Sequence, residues 1–381
     1  IIAIQSTTFG AFGGIPSYNR LICRALNELP ESEQPIVLIA TDSASDIAEP
    51  SVCFPRVQLN AFNKTRVGLT RGFFRLALNH DVDLILVGHV NYAPLAWMVK
   101  RLRPRVRYGV LLYGIEAWKP LSKVRRRAVQ KADFLISISD FTRHKAVEAN
   151  KLDPSQVHLL PNALHCLPAE PLQMGAHKSS LEVNLLSVCR LDQSEQYKGV
   201  DRVIECLPAL AKRIPAVRYI VIGAGSDLER HRALAKNLGV SSLVQFLGFV
   251  SDEELCARYR DCDVFVMPSA GEGFGFVFLE AMKYGKPIVA ARSGGVPEVV
   301  RDGVNGKLVE YGDRQQLLES LLELCLNRDL RQSLGQAGYQ RLHENYTFEH
   351  FNQKFAEIIQ LESPAQAAAK FSPAESQSCA S

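Results

Sequence analysis

The feature that most constrains this 381-residue chain is an alternation of short apolar runs and helical periods that continues almost without a break. Strands buried on both faces read as continuous apolar runs, and a helix between successive strands makes them parallel. In the first half the runs are Ile1 to Gln5, Ile36 to Ala40, Leu84 to Gly88, Val106 to Leu112, Phe134 to Ser139 and Val157 to Leu160. Helical stretches lie between them. In Tyr18 to Leu29, for example, Leu21, Ile22, Ala25, Leu26 and Leu29 share one face. The periodicity lapses from His165 to Ser180, HCLPAEPLQMGAHKSS, which reads as a linker. A second series follows: Val183 to Val188, Tyr219 to Gly223, Val244 to Gly248, Val264 to Met267, Ile288 to Ala291 and Gly306 to Val309. Ser251 with Glu254 forms a capping box at one helix start. The expected organisation is an α/β chain with domains at 1–165 and 181–345 and a linker at 166–180. A last helix lies within 346–362 and a disordered tail, rich in Ala, Ser and Pro, at 363–381. Ligands in doubly wound sheets bind at the carboxyl edge, here the cleft between the two domains.

Composition removes several classes. With 47% hydrophobic and 22% charged residues the chain is globular, and no run approaches the roughly 20 apolar residues that span a bilayer. Nine cysteines without a CxxC pair point to reduced thiols rather than a disulfide or zinc framework. The start carries no signal-peptide pattern, so the expectation is a cytoplasmic protein. The net charge of +4 is uneven: Arg56 to Lys131 holds 16 Lys and Arg against Asp81, Asp83 and Glu116. Lys119 to Lys131 reads as one basic helix. It is either a solvated face or a surface for a phosphorylated acceptor or for anionic headgroups, the last of which would make the protein peripheral on the cytoplasmic membrane. No nucleic-acid-binding motif accompanies the charge, so no nucleic-acid partner is expected.

The chemistry concentrates in DVFVMPSAGEGFGFVFLEAMKYGKPIVA, Asp263 to Ala290. A buried strand ends at Pro268, Glu272 sits in a glycine loop, and Gly275 turns the chain into a helix carrying Glu280. Backbone N–H groups at such a helix start suit a diphosphate, and two carboxylates at different depths suit a sugar and a ribose diol. Glu-x7-Glu spacing alone carries little; the strand–glycine loop–helix setting carries the weight. Arg190, ending the first strand of the second series, and Lys198 with Gly199, opening the next helix, place two cations on the same cleft. The Thr7 to Pro16 loop, with Gly13 and Gly14, suggests a dinucleotide glycine loop, but no acidic residue stands where a nicotinamide ribose needs one.

These motifs resemble the family 4 retaining glycosyltransferases of the group 1 type. The resemblance runs through the glycines Gly13 and Gly14, YGIE from Tyr113, SDFTR from Ser139 and PNA from Pro161. It continues through RLDQSEQYKG from Arg190, VIGAG from Val221, FLG from Phe246, PSAGEGFGFVFLEA from Pro268 and SGGVPEVV from Ser293. It implies the GT-B fold, two Rossmann-like doubly wound domains facing each other across a cleft, with the last helix crossing back to the first domain. Arg190 and Lys198 would bind the donor diphosphate, Glu272 the donor sugar and Glu280 the ribose, while Gly248 and Phe249 lie in the loop that reads the base. Gly13, Gly14, Gly273, Phe274 and Gly275 complete the expected donor site. Tyr113 stands where many members have His, and a phenol cannot carry a proton near neutral pH as His can. His89 and Glu116 are expected on the acceptor side. The implied reaction moves a hexose, with retention, from a UDP- or GDP-sugar to a saccharide or lipid-linked acceptor, without metal or cofactor. The alternatives are another GT-B enzyme, inverting or epimerising, and a catalytically silent nucleotide-sugar-binding subunit.

Overall fold

The computed structural model describes residues 1–30, 33–165 and 182–361; the expected linker and tail lie outside these residues. The first sheet has seven strands: β1 (Ile2–Gln5), β2 (Ile36–Ile39), β3 (Gln58–Ala61), β4 (Leu84–Val87), β5 (Arg107–Leu112), β6 (Phe134–Ser137) and β7 (Val157–Leu159). Their order is β3-β2-β1-β4-β5-β6-β7, parallel throughout. The second has six: β8 (Val183–Val188), β9 (Val217–Ile222), β10 (Val244–Gly248), β11 (Val264–Met267), β12 (Ile288–Ala291) and β13 (Gly306–Val309). Their order is β10-β9-β8-β11-β12-β13, again parallel. The chain reverses direction of growth between β1 and β4 and between β8 and β11. The loops leaving β1, β4, β8 and β11 therefore flank the two crevices where such sheets take ligands.

The apolar runs become the central strands because helices cover both faces; β1, β4, β6, β11 and β12 are buried end to end. β3 carries no such signal. Its sequence is QLNA on an edge, with Gln58 exposed, so no apolar run announces it. The basic stretch also differs from its reading as one helix. The helix is only Lys123–Gln130, with Ser122 at its cap. Lys119 precedes Pro120, which disfavours helical backbone there. Asn150 pins the loop by accepting from Leu121 N at 2.8 Å and donating to Ala117 O at 2.9 Å.

The two sheets are joined by contacts far apart in sequence. Leu164 N donates to Tyr346 O at 3.0 Å, and the Phe348–Leu361 helix then packs on the first helix, Gly14–Asn27. Phe351 meets Tyr18 edge-on at 5.5 Å, and the Arg24 guanidinium lies 3.7 Å from the centre of the Phe348 ring. On the other side, the Glu298 carboxylate accepts from Asp140 N and Phe141 N, both at 2.8 Å, and so caps the Asp140–Asn150 helix of the first domain. The Glu298 carbonyl is held in turn by Arg341 at 2.6 Å and the Tyr346 hydroxyl at 3.0 Å.

Phe355, fully buried on the last helix, tests that docking against its exposed neighbour Lys354. Phe355→Ala should lower unfolding free energy by about 3–5 kcal/mol. Lys354→Ala should stay within about 0.5 kcal/mol of wild type. Chemical denaturation midpoints measure both.

Candidate active site

The loop after β11 is built by what its glycines admit. Gly275 caps the Phe276–Lys283 helix at φ 94°, and a Cβ there would lie 2.5 Å from the Phe278 ring. A Cβ on Gly273 would lie 2.6 Å from Tyr113 O, so the loop touches the first domain through bare backbone. Gly295 N donates to Glu272 O at 2.8 Å, and a Cβ on Gly294 would sit 2.1 Å from that same oxygen. Phe278, Leu279, Ala281 and Met282 bury the helix, fixing the direction of its first-turn N–H groups.

Lys198 reaches this loop because Gly199 turns at φ 79° with no room for a Cβ, 2.5 Å from Pro268 O. Its ammonium donates to Glu272 Oε1 at 2.5 Å, with the two side chains only 17% and 13% exposed. Burial pulls the Lys198 pKa down, but the Glu272 carboxylate and Tyr197 outweigh it and the net direction is up, so Lys198 stays charged. Burial pushes the neighbouring Cys189 thiol up to about 12, which keeps it neutral. Arg190 is 64% exposed and pairs with Glu195. The VIGAG loop holds this segment: Leu191 N donates to Ala224 O at 3.0 Å, and Gln193 N to Ser226 Oγ at 3.1 Å.

Glu280 accepts from the Tyr259 hydroxyl at 2.7 Å, and burial raises its pKa above the ordinary carboxylate range. Phe274 is buried, edge-on to Tyr346 at 5.6 Å, so its ring packs inward rather than lining the cleft. Gly248 sits at φ 70° and accepts from Gly223 N at 2.8 Å, which leaves Phe249 73% exposed.

Across the cleft, Gly13 sits at φ 134° and a Cβ on Gly14 would come 3.9 Å from Phe276. The two glycine loops therefore oppose each other. Asp42, which no sequence motif marks, organises the first loop. Its buried carboxylate accepts from Thr7 Oγ1 at 2.8 Å, Thr8 N at 3.1 Å, Phe9 N at 2.7 Å and Gly10 N at 3.1 Å.

Three expected residues are placed differently from a ligand contact. The Tyr113 hydroxyl donates to Asn19 Oδ1 at 2.6 Å, inside the first domain and edge-on to Tyr18, and burial raises its pKa well above 10. Only the Tyr113 backbone meets the second domain's loop. Glu116 accepts from Tyr113 N at 2.6 Å and Gly114 N at 3.1 Å, a turn cap rather than an open carboxylate. Burial raises its pKa against these hydrogen bonds. His89 caps a short turn, accepting from Asn91 N at 3.1 Å; burial and Arg125 lower its pKa, so the ring is neutral. Conversely, Trp118 lies beside Gly271 and donates to Thr142 Oγ1 at 3.2 Å, at the wall of the same cleft.

Models of two families match the chain on the two sides of this cleft: "Glycosyl transferases group 1" over residues 180–341 and "Glycosyltransferase Family 4" over residues 12–166. A GDP-mannose-dependent alpha-(1-6)-phosphatidylinositol monomannoside mannosyltransferase of Mycobacterium tuberculosis (strain CDC 1551 / Oshkosh) is 30% identical over 77% of this chain and 79% of its own length. This chain belongs to the group 1 glycosyltransferases. A D-inositol 3-phosphate glycosyltransferase of Mycobacterium sp. (strain JLS) is 32% identical over 66% of this chain and 62% of its own length. The glycosyltransferase also superposes on the Anabaena HepE protein in complex with UDP, at TM-score 0.74 and 20% identity, covering 95% of this chain and 100% of that one. Sucrose-phosphate synthase of Thermosynechococcus elongatus matches at TM-score 0.74 and 18% identity, over 96% and 99% of the two chains. These likenesses show the GT-B fold.

The raised Glu280 pKa gives a stability prediction. A folded-state carboxyl pKa above its unfolded value makes stability fall as pH rises from the ordinary glutamate range through the folded pKa. Glu280→Gln removes that loss and keeps a partner for Tyr259. It should be at least as heat-stable as wild type at pH 7, with the difference shrinking as pH is lowered toward about 4. Thermal unfolding at several pH values reads it.

Proposed function

We propose that this glycosyltransferase moves a hexose, with retention, from a nucleotide-sugar to a lipid-linked acceptor, with GDP-mannose as the leading donor. The observation that carries the reading is the buried Lys198–Glu272 pair beside the Phe276–Lys283 helix start. A cation and a row of N–H groups there stabilise the charge of a departing diphosphate, and such preorganised charge stabilisation usually lowers the barrier more than any other effect. Glu272 takes the donor sugar's hydroxyls and Glu280 the ribose. With Tyr113 committed to Asn19, no acid or base from YGIE enters the reaction. The acceptor hydroxyl attacks the anomeric carbon from the face the diphosphate leaves, and the leaving phosphate oxygen takes its proton. The sugar–phosphate bond breaks as the new glycosidic bond forms. Lys198 supplies the neutralisation a divalent metal gives elsewhere. The Glu298 cap and the glycine contacts keep the domains together and exclude water.

The lipid acceptor is supported by the mannosyltransferase relative, whose name gives a phosphatidylinositol monomannoside. A basic surface on the first domain supports it too. The helices Ala93–Leu102 and Lys123–Gln130 lie side by side and expose Met98, Leu102 and Val124 among Arg101, Lys123 and Arg125. Among the described residues no helix is long and apolar enough to cross a membrane, so contact through this face is the mode proposed.

Incubation with GDP-mannose, UDP-glucose and lipid extracts, followed by anomer analysis of the product, tests the reaction. Lys198→Ala should lower kcat by about 10²–10³-fold, the loss typical of one charge-stabilising donor, and chelators should leave wild-type turnover unchanged. Glu280→Ala should weaken free nucleoside diphosphate and intact donor alike. Glu272→Ala should spare the nucleoside diphosphate yet depress turnover. Binding that is lost equally in both, or full activity in Glu272→Ala, sinks the assignment. At about 1 kcal/mol per basic residue near a membrane, replacing Arg125, Arg126 and Arg127 by Ser should sharply reduce sedimentation with anionic liposomes.

A further inference from the structure

Arg190, expected to face the diphosphate, is instead joined to a carboxylate five residues on in RLDQSEQYKG. We propose that Glu195 is an internal competitor of the donor diphosphate for the Arg190 guanidinium, and that it serves to release the spent nucleoside diphosphate. This rests on the donor-site reading above.

The backbone around Glu195 is held firmly. Asp192 accepts from Ser194 N at 3.0 Å and Ser194 Oγ at 2.8 Å, Gln196 donates to Asp227 at 3.2 Å, and Glu195 N donates to Asp192 O at 2.8 Å. Glu195 is the residue of the Gln193–Lys198 turn that leaves helical geometry, at φ −117° and ψ 26°. Its side chain is 13% exposed, with Oε1 on Arg190 and Oε2 buried without a hydrogen-bond partner. A desolvated carboxylate oxygen with no donor is unfavourable, which offsets part of what the pair with Arg190 contributes. The Arg190 side chain remains 64% exposed, so an incoming diphosphate can reach the guanidinium and exchange for Glu195.

Charge gives the role. Arg190, Lys198, Glu195 and Glu272 form two ion pairs of zero formal net charge along one segment and the loop it touches. A free nucleoside diphosphate carries about one negative charge more than the same diphosphate esterified to a sugar, because its terminal phosphate ionises twice near neutrality. The product therefore draws more of its binding from the Arg190 guanidinium than the donor does, and a carboxylate that occupies that guanidinium weakens product more than donor. The donor enters by displacing Glu195 from Arg190, and the carboxylate's return favours departure of the product.

The test is calorimetric titration of the full chain with GDP and UDP. Glu195→Gln should bind the nucleoside diphosphate at least about tenfold more tightly than wild type, while the donor KM falls less. Turnover should become more sensitive to product inhibition. Glu195→Ala, which removes the unpartnered oxygen altogether, should move the same way, and melting temperatures confirm that both variants fold. In an Arg190→Ala background the gain from Glu195→Gln should vanish. Unchanged or weaker nucleoside diphosphate binding in both Glu195 variants would mean that the carboxylate orients Arg190, and overturns the proposal. So would a gain that persists without Arg190. Wild type binding neither GDP nor UDP contradicts the donor-site reading itself, and the proposal falls with it.

Discussion

The ion pair between Lys198 and Glu272 fixes everything around it. It ties the segment after β8 to the loop after β11 with both charges largely out of water, where an unpaired member would be costly. To bring the ammonium there, Gly199 must turn left-handed against Pro268. To bring the carboxylate there, Glu272 O must sit against Gly294 and accept from Gly295 N. The glycines of the two motifs are thus steric consequences of one contact, and the helix start that follows is aimed by it.

The same loop is also the surface of the second domain that meets the first. Gly273 abuts Tyr113 O, Gly295 lies against Gly273 O and Ser139, and Glu298 caps a helix that belongs to the first domain. The geometry of the proposed donor site and the contact between the domains therefore share residues. A ligand that shifts Glu272 acts directly on the contacts that join the sheets. The last helix supplies the counterpart at the back, where Tyr18, Phe351 and Phe355 hold the domains together.

What can be read from the sequence follows the range of the interactions. Strands buried on both faces announce themselves, so the parallel sheets are legible, whereas the polar edge strand β3 is not. Motif residues are legible as motifs, but their side-chain directions are not. Tyr113 turns inward because Asn19, 94 positions earlier, accepts its hydroxyl, and Glu116 turns onto its own loop's N–H groups. Glu298 acts on backbone 157 and 158 positions away, and Asp42 on a loop 32 to 35 positions earlier. No local pattern encodes either contact. Glu195 stands inside a legible motif, yet nothing in that motif says whether Arg190 turns to a ligand or to its own chain.

A crystal structure with a bound nucleoside diphosphate is the most direct test of the Lys198–Glu272 site. The terminal phosphate is expected against Lys198 Nζ and the first N–H groups of the Phe276–Lys283 helix, with the ribose at Glu280. A nucleotide bound elsewhere would contradict this placement. One such place is the depression of about 700 Å³ among Ile1, Arg56, His80 and Asp83, at the amino edge of the first sheet.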